Sequence, residues 1–354
     1  MGPNALTDLH VNNILVLTDF SACSQKALLY AVNIARLHKS KLTLLHIVPP
    51  RLGPPQLPRH DEAFRAALSE MEKLQADRLS EGLLRGIPHQ SLVRQGKNWN
   101  VISRILKLQS TDLIVMGTHG KTGLQKLILG SFAEDVFRQA SCPVLTVGPS
   151  IPDQAVAESP RHILFPNDGS YASNAPEPYA YRLGRAPGAQ LTLLGVVHTG
   201  LLSNGNSGGD ERLKHAKEHL HATGLYAAWR QGGVTPNVLA EMGSKVETIL
   251  RVADTTAADL IILGISGKDN APGSFEWGDA YQLACSAHCP VLTVRDTFPN
   301  PYLKRLLDME PVRVAGKSAR RNSTLARGQR SRSSDRSMAA DLSTWAKMRN
   351  QIPL

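Results

Sequence analysis

Three glycines and a serine in the first half of the chain are spaced so that they could bind a phosphate group. Two residues separate Gly117 from Gly120, and nine more separate Gly120 from the pair Gly130 and Ser131. Glycines let a backbone turn tightly and approach a phosphate with no Cβ in the way. A helix beginning at Ser131 would add unpaired N–H groups and the positive end of its dipole. The spacing Gly-x2-Gly-x9-Gly-Ser therefore predicts a phosphate-binding loop.

The charge of this loop suits an anionic ligand. Residues 117–133 contain Lys121 and Lys126 and neither Asp nor Glu, so a triphosphate would meet no local repulsion. Residues 120–122 resemble the end of a Walker A loop, but Val115 stands where that motif requires its first glycine. The sequence therefore excludes a conventional P-loop and keeps Lys121 as a candidate phosphate ligand.

The elements around the loop are predicted from hydrophobic periodicity. Short apolar runs rich in β-branched residues alternate with longer segments of helical period, which is typical of a parallel sheet with crossover helices. In the first half we expect strands near 13–18, 41–47, 90–94, 112–117 and 143–147, and helices near 21–38, 61–85, 97–109 and 131–140. Asp19 and Gly117 then follow the first and fourth strands, at the carboxyl edge where open parallel sheets bind ligands.

A repeat of about 148 residues shows that the chain contains this unit twice. Residues 14–21 match 163–170, residues 112–117 match 259–264, and residues 142–147 match 289–294. Strands of the second half are expected near 162–167, 190–196, 235–240, 259–264 and 290–294. Pro176 and Pro178 should delay or break its first helix. The predicted class is α/β, with two tandem five-stranded parallel sheets that carry helices on both faces.

The domain organisation follows from the repeat and from composition. We expect a first domain over residues 1–148, a linker over 149–160 and a second domain over 161–296. Residues 297–354 hold 12 Lys and Arg against 4 Asp and Glu, so most of the formal net charge of +10 belongs to this segment. Because the segment has little to bury, we expect a disordered basic tail.

Several of these residues also have simpler interpretations. Ser131 and Glu134 fit a capping box that would stabilise any helix, and Asp19 before Ser21 could cap the first helix. A single histidine such as His119 is usually a solvated loop residue. It is the joint spacing at the predicted strand ends that favours a nucleotide.

With these motifs the sequence resembles the universal stress protein family, over about residues 12–148 and 161–295. In that family the pattern Gly-x2-Gly-x9-Gly followed by Ser or Thr marks the members that bind ATP. The resemblance implies an adenine nucleotide alpha-hydrolase-like fold, with Asp19 toward the ribose and adenine. It also implies backbone contacts to adenine from Thr18, Ile47 and Met116, and a phosphate end lined by His119, Phe132 and Ala133. The predicted nucleotide-binding residues are Thr18, Asp19, Ile47, Met116, Gly117, His119, Gly120, Lys121, Gly130, Ser131, Phe132 and Ala133.

The second copy departs from the motif. Gly264 and Gly267 match the first two glycines, but Trp277 replaces Gly130 and Gly278 replaces Ser131. An indole at the glycine position should obstruct the phosphate path, and the acidic residues of the segment 264–280 should repel a phosphate. We therefore expect one nucleotide site per chain, in the first half.

The resemblance implies a regulatory protein of the stress response. It would bind ATP, with or without Mg²⁺, would be at most a weak ATPase, and would act through protein partners. It further implies that the two halves pair through their last strands, around Val144–Val147 and Val291–Val294, and that a homodimer can form. We see no serine–histidine–carboxylate set or activated cysteine at the matching strand ends, although a nucleotide-consuming enzyme of the same superfamily remains an alternative.

A second alternative is an interaction scaffold whose basic tail binds nucleic acid or an anionic membrane surface. The tail lacks interleaved aromatic residues for base stacking, which favours a solvated tail. No apolar run approaches the roughly 20 residues that span a bilayer, so a cytoplasmic location is expected. Four cysteines are too few for a disulfide scaffold. Cys285 and Cys289 lack a second cluster that would complete a zinc site.

Overall fold

The computed structural model describes residues 11–50, 59–118, 131–152, 160–168, 173, 175–197, 209–222, 224–266 and 275–296. The first half contains β1 (Asn13–Leu17), α1 (Ala22–His38), β2 (Lys41–Val48), α2 (Arg59–Ser80), β3 (His89–Gln95), α3 (Asn98–Gln109), β4 (Leu113–Gly117), α4 (Ser131–Gln139) and β5 (Val144–Val147). These bounds agree with the predicted elements to within a few residues, with one exception at the end of α2.

The second half repeats this order with one more helix. Its elements are β6 (His162–Pro166), α5 (Glu177–Gly184), β7 (Gln190–Val197), α6 (Gly209–Ala222), α7 (Gly224–Gln231), β8 (Asn237–Met242), α8 (Lys245–Thr255), β9 (Leu260–Ile265), α9 (Trp277–Ser286) and β10 (Val291–Arg295). None of the helices described is long and apolar enough to cross a membrane.

Within the described ranges, ten strands form one sheet in the order β3-β2-β1-β4-β5-β10-β9-β6-β7-β8. The pairs within each half are parallel, whereas β5 and β10 pair antiparallel with Leu145 opposite Leu292. The α/β class and the pairing of the last strands are therefore confirmed. The two halves share a continuous sheet, related by an approximate two-fold axis through this junction.

Two buried threonines repeat this symmetry at the junction. The hydroxyl of Thr146 donates to the carbonyl of Val291 at 3.0 Å, and the hydroxyl of Thr293 donates to the carbonyl of Val144 at 3.2 Å. Because each hydroxyl is buried and bonded to the opposite half, the pair specifies the register of the central strands.

Helices cover both faces of the sheet, as predicted. On one face α1 and α2 pack against residues such as Val16 and Leu44, and on the other α3 and α4 pack against Leu15 and Leu45. The alternation follows from the period of two along each strand. Most of these strand side chains are fully buried, so the sheet lies between two apolar layers.

One helix ends earlier than predicted. The sequence predicts a helix over 61–85, but α2 ends at Ser80. Gly82 adopts a φ of 74° and Gly86 a φ of 76°, a left-handed conformation that an α-helix cannot continue through. In the second half, α5 begins only at Glu177, after Pro176, so the predicted delay of that helix is confirmed.

A carboxylic acid lies in the apolar layer of the second half. Glu177 is 8% exposed and occupies the position that Leu28 fills in the first half. Burial raises the pKa of Glu177 to about 7, and the Trp229 indole partly opposes the rise. Trp229 Nε1 is itself buried and makes no hydrogen bond of normal geometry. The apolar layer of the second half therefore contains a carboxyl group whose ionisation burial disfavours, with the Trp229 indole beside it.

Candidate nucleotide site

The carboxyl ends of β1 and β4 lie side by side at one edge of the sheet. The helix that follows β1 packs on one face of the sheet, and the helix that follows β4 packs on the other. The strand order reverses between these two neighbours, which is where open α/β sheets bind ligands. Asp19 follows β1 and Gly117 ends β4, so the structure brings these two predicted residues to the same edge.

The turn after β1 is held by hydrogen bonds from its own side chains. The Asp19 carboxylate accepts from the amide of Ser21 at 3.0 Å, and the Thr18 hydroxyl accepts from the amide of Phe20 at 3.1 Å. The Ser21 hydroxyl caps α1 by accepting from the amide of Ser24 at 3.3 Å. The capping role that the sequence suggested for Asp19 thus belongs to Ser21, two residues later, and Asp19 stabilises the turn before it.

An aromatic pair that sequence reasoning missed lies beneath this turn. The rings of Phe20 and His46 are 4.6 Å apart and inclined by 32°. His46 Nδ1 donates to the carbonyl of Thr18 at 2.8 Å. Phe20 adopts a φ of 65°, which costs a residue with a side chain roughly 1–2 kcal/mol. No local pattern in the sequence signals the contact of His46 with Phe20.

Gly117 lies against the first turn of α1. A Cβ on Gly117 would be 2.8 Å from the backbone nitrogen of Ser24 and 2.9 Å from the Cβ of Cys23. The lack of a side chain therefore has a packing reason, because it lets the start of α1 approach the end of β4. The fold therefore requires glycine at position 117 for packing alone, independently of any ligand.

The backbone positions predicted for the adenine lie at strand ends. Ile47 is two residues beyond Leu45, the last residue of β2 that pairs with β1. Met116 pairs with Leu17 at the end of β1 and is 2% exposed. The Thr18 carbonyl already accepts from His46, and a carbonyl oxygen can accept a second hydrogen bond.

The predicted phosphate end is described only in part. Ser131 begins α4, as the motif predicts, with Phe132 half-buried and Ala133 4% exposed in its first turn. The remaining predicted residues lie outside the described part of the chain, namely His119, Gly120, Lys121 and Gly130. The positive end of the α4 dipole therefore lies near the edge where β4 ends.

The corresponding helix of the second half is closed by its own side chains. At the start of α9 the Glu276 carboxylate accepts from the backbone of Asp279, and Asp279 accepts from the amide of Glu276 at 3.2 Å. This reciprocal capping box satisfies N–H groups that a phosphate would otherwise use. Glu276 and Asp279 stand at the positions of Leu129 and Phe132, whereas the acids of α4, Glu134 and Asp135, come later in that helix.

Three of the four cysteines, Cys142, Cys285 and Cys289, have thiol pKa values above the ordinary value. Burial, reinforced by the nearby Asp112 and Asp259 respectively, raises the pKa of Cys142 and Cys289 to about 12. Burial also raises the pKa of Cys285, although hydrogen bonds to Tyr281 and Thr118 oppose this. Thiols with raised pKa values are poor nucleophiles and poor ligands. Within the described ranges no group of three or more His, Cys, Asp or Glu residues could hold a metal ion.

Comparisons with known proteins agree with this geometry. The model of the universal stress protein family matches residues 10–148 and again residues 160–295. A universal stress protein of Mycolicibacterium smegmatis is 27% identical over 293 residues, covering 80% of this chain and 96% of that protein. A universal stress protein of Methanocaldococcus jannaschii is 32% identical over 146 residues, covering 38% of this chain and 80% of that protein.

Solved structures share this fold over most of the chain. The crystal structure of a universal stress protein from Archaeoglobus fulgidus matches with a TM-score of 0.59 at 18% identity, covering 81% of this chain and 97% of that chain. A protein from Pseudomonas aeruginosa whose function is described as unknown matches with a TM-score of 0.55 at 20% identity, covering 86% and 97%. Because two consecutive matches to one family model together cover most of its length, this chain belongs to the universal stress protein family.

Proposed function

We propose that the protein binds one ATP molecule per chain, at the carboxyl edge of the first half between β1 and β4. The observation that carries the proposal is the contrast between two equivalent helix ends. In the second half Glu276 and Asp279 occupy the N-terminus of α9, whereas the segment that leads into α4 contains two lysines and no acid. A phosphate would be stabilised at the N-terminus of α4 and repelled at the N-terminus of α9.

Asp19 marks the end of the proposed site that would bind the nucleoside. It follows the strand next to β4, so the nucleoside would lie toward Asp19 and Ile47 and the phosphates toward Ser131. The carboxylate would accept hydrogen bonds from ribose hydroxyls, and the backbone at the ends of β2 and β4 would contact the adenine. Any Mg²⁺ that accompanies ATP would be bound mainly by phosphate oxygens and water.

The protein then acts as a nucleotide-dependent regulator of the stress response, in the cytoplasm and through protein partners. Hydrolysis would be slow or absent. Family membership supports this role. The second half serves as a structural partner that extends the sheet through β10.

The direct test is to purify the protein without added nucleotide, denature it and identify the released small molecules by mass spectrometry. We expect an adenine nucleotide at up to one equivalent per chain. The Gly130→Trp variant, which copies the residue of the second half, is the matched control and should release none. Equal release from both proteins would contradict the assignment of the site.

A further inference from the structure

The Phe20–His46 pair has no counterpart in the duplicated half. The matching positions are Gly169 and Gly195. Gly195 faces Leu220 instead, whose side chain would come within 3.1 Å of a Cβ at that position. One contact is common to both halves, because Ser173 donates to the side chain of Asn167 at 3.3 Å as Ser24 contacts Thr18 at 3.2 Å. The first half therefore has two aromatic side chains at positions where the second half has glycine.

The first half keeps this pair although its backbone disfavours it. Phe20 has a φ of 65°, a conformation that glycine adopts without strain and that a bulky residue rarely adopts. Strained residues persist where surrounding contacts over-determine them, and they concentrate at functional sites. Here Phe20 is in contact with the His46 ring and the Thr18 hydroxyl. The side-chain amide of Gln25 also donates to the Phe20 carbonyl at 3.5 Å.

His46 contacts both chain neighbours of Asp19. Its Nδ1 donates to the carbonyl of Thr18, and its ring packs on that of Phe20. Asp19 is thus fixed from both sides by one side chain from β2, in addition to its own bond to the amide of Ser21. A carboxylate held in this way loses little freedom when a ligand binds.

We propose that Phe20 and His46 are positioning residues that hold the Asp19 carboxylate in the orientation that binds the ribose. This rests on the proposed nucleotide site. The pair has no contact of its own with the nucleotide in this scheme and acts through Asp19.

The first test needs no nucleotide. Amide hydrogen exchange at Ser21 reports the bond to Asp19, and we expect Phe20→Gly and His46→Gln to speed it at least tenfold. His89→Gln is the matched control, because His89 Nδ1 makes the same kind of contact, 2.8 Å from the carbonyl of Ile87, at the start of β3. Unchanged exchange in both test variants would overturn the proposal.

The second test is a double-mutant cycle measured by ATP titration. Phe20→Gly should weaken ATP binding at least tenfold, and the combined Asp19→Ala and Phe20→Gly variant should bind no more weakly than Asp19→Ala alone. The wild type should also prefer ATP over its 2′,3′-dideoxy analogue, and Phe20→Gly should remove most of that preference.

The possible failures are distinguishable. Wild-type protein that binds no ATP contradicts the proposed function, and with it the role assigned to the pair. If the wild-type protein binds ATP and the losses of ATP affinity from Asp19→Ala and Phe20→Gly add in the double variant, only the role of the pair is contradicted.

Discussion

Gly117 and Cys23 lie so close that a Cβ on Gly117 would be 2.8 Å from the carbonyl carbon of Cys23. The obstacle is backbone at the start of α1, and backbone moves less readily than the end of a side chain. The first glycine of the phosphate-binding motif therefore also sets the distance between β4 and α1. In the proposed site, stability and nucleotide binding would therefore depend on the same residue.

The first prediction concerns this contact. Gly117→Ala should lower the free energy of unfolding by about 1–3 kcal/mol, because the helix start must shift to admit the methyl group. Chemical denaturation measures the change. Gly278→Ala is the control, since nothing lies within 4 Å of a Cβ there, and it should be neutral or slightly stabilising. Equal destabilisation of both variants would contradict the packing account.

The second prediction concerns Glu177 and pH. Its pKa is raised from 4.5 to about 7, so the folded chain keeps this proton over a range in which the unfolded chain has released it. The contribution of Glu177 to the free energy of unfolding is therefore fully favourable below about pH 4.5 and is lost as the pH rises to about 7. The loss is of order 3 kcal/mol, from 1.36 kcal/mol per pKa unit.

The Glu177→Gln variant should accordingly remove this loss. We expect it to be more stable than the wild type at pH 8 and similar to it near pH 4, as measured by denaturation across that range. Glu72→Gln, on the exposed face of α2, is the control and should leave the pH profile unchanged. A profile for Glu177→Gln that parallels the wild type would show that this carboxyl is not the cause.

The third prediction concerns the closed helix end of the second half. Glu276→Ala removes the acceptor of the capping box and should cost about 0.5–2 kcal/mol in stability. Because α9 lies outside the proposed site, the affinity for ATP should not change. Parallel denaturation and titration measure the two effects, and a tenfold change in ATP affinity would contradict the assignment of binding to the first half.

The fourth prediction concerns the junction of the halves. Thr146→Val and Thr293→Val each delete a buried hydrogen bond across β5 and β10 and should each cost about 1 kcal/mol. Thr192→Val is the control, because Thr192 is buried within the second half and has no such bond across the junction. If Thr192→Val lowered the free energy of unfolding as much as the other two variants, the Thr→Val substitution itself, and not the lost hydrogen bond, would be responsible.

Much of the fold could be predicted from periodicity alone. β1, β2 and β4 are apolar runs bounded by polar residues, and the structure places them within about one residue of the predicted ranges. The early end of α2 was missed because the apolar period continues past Gly82, whereas the helix cannot. The pairing of β5 with β10 followed from the resemblance and not from any local pattern.

The site was less predictable than the sheet. Spacing located Asp19 and Gly117 at one edge, since the carboxyl ends of neighbouring parallel strands must meet there. The contact between Phe20 and His46 joins residues 26 positions apart, and depends on a backbone angle that the sequence does not disclose. The acids near Trp277 were recognised as repulsive, but their role as a capping box required the geometry.

The central claim is that one half binds ATP and the other does not. Isothermal titration with ATP tests it most directly, using the wild type, Gly130→Trp and Trp277→Gly. We predict one nucleotide per chain for the wild type, a loss of at least tenfold in affinity for Gly130→Trp, and no second site in Trp277→Gly, because Glu276 and Asp279 still close α9. The account would be contradicted if the wild type bound two nucleotides or none. It would also be contradicted if Gly130→Trp bound ATP with the same affinity as the wild type.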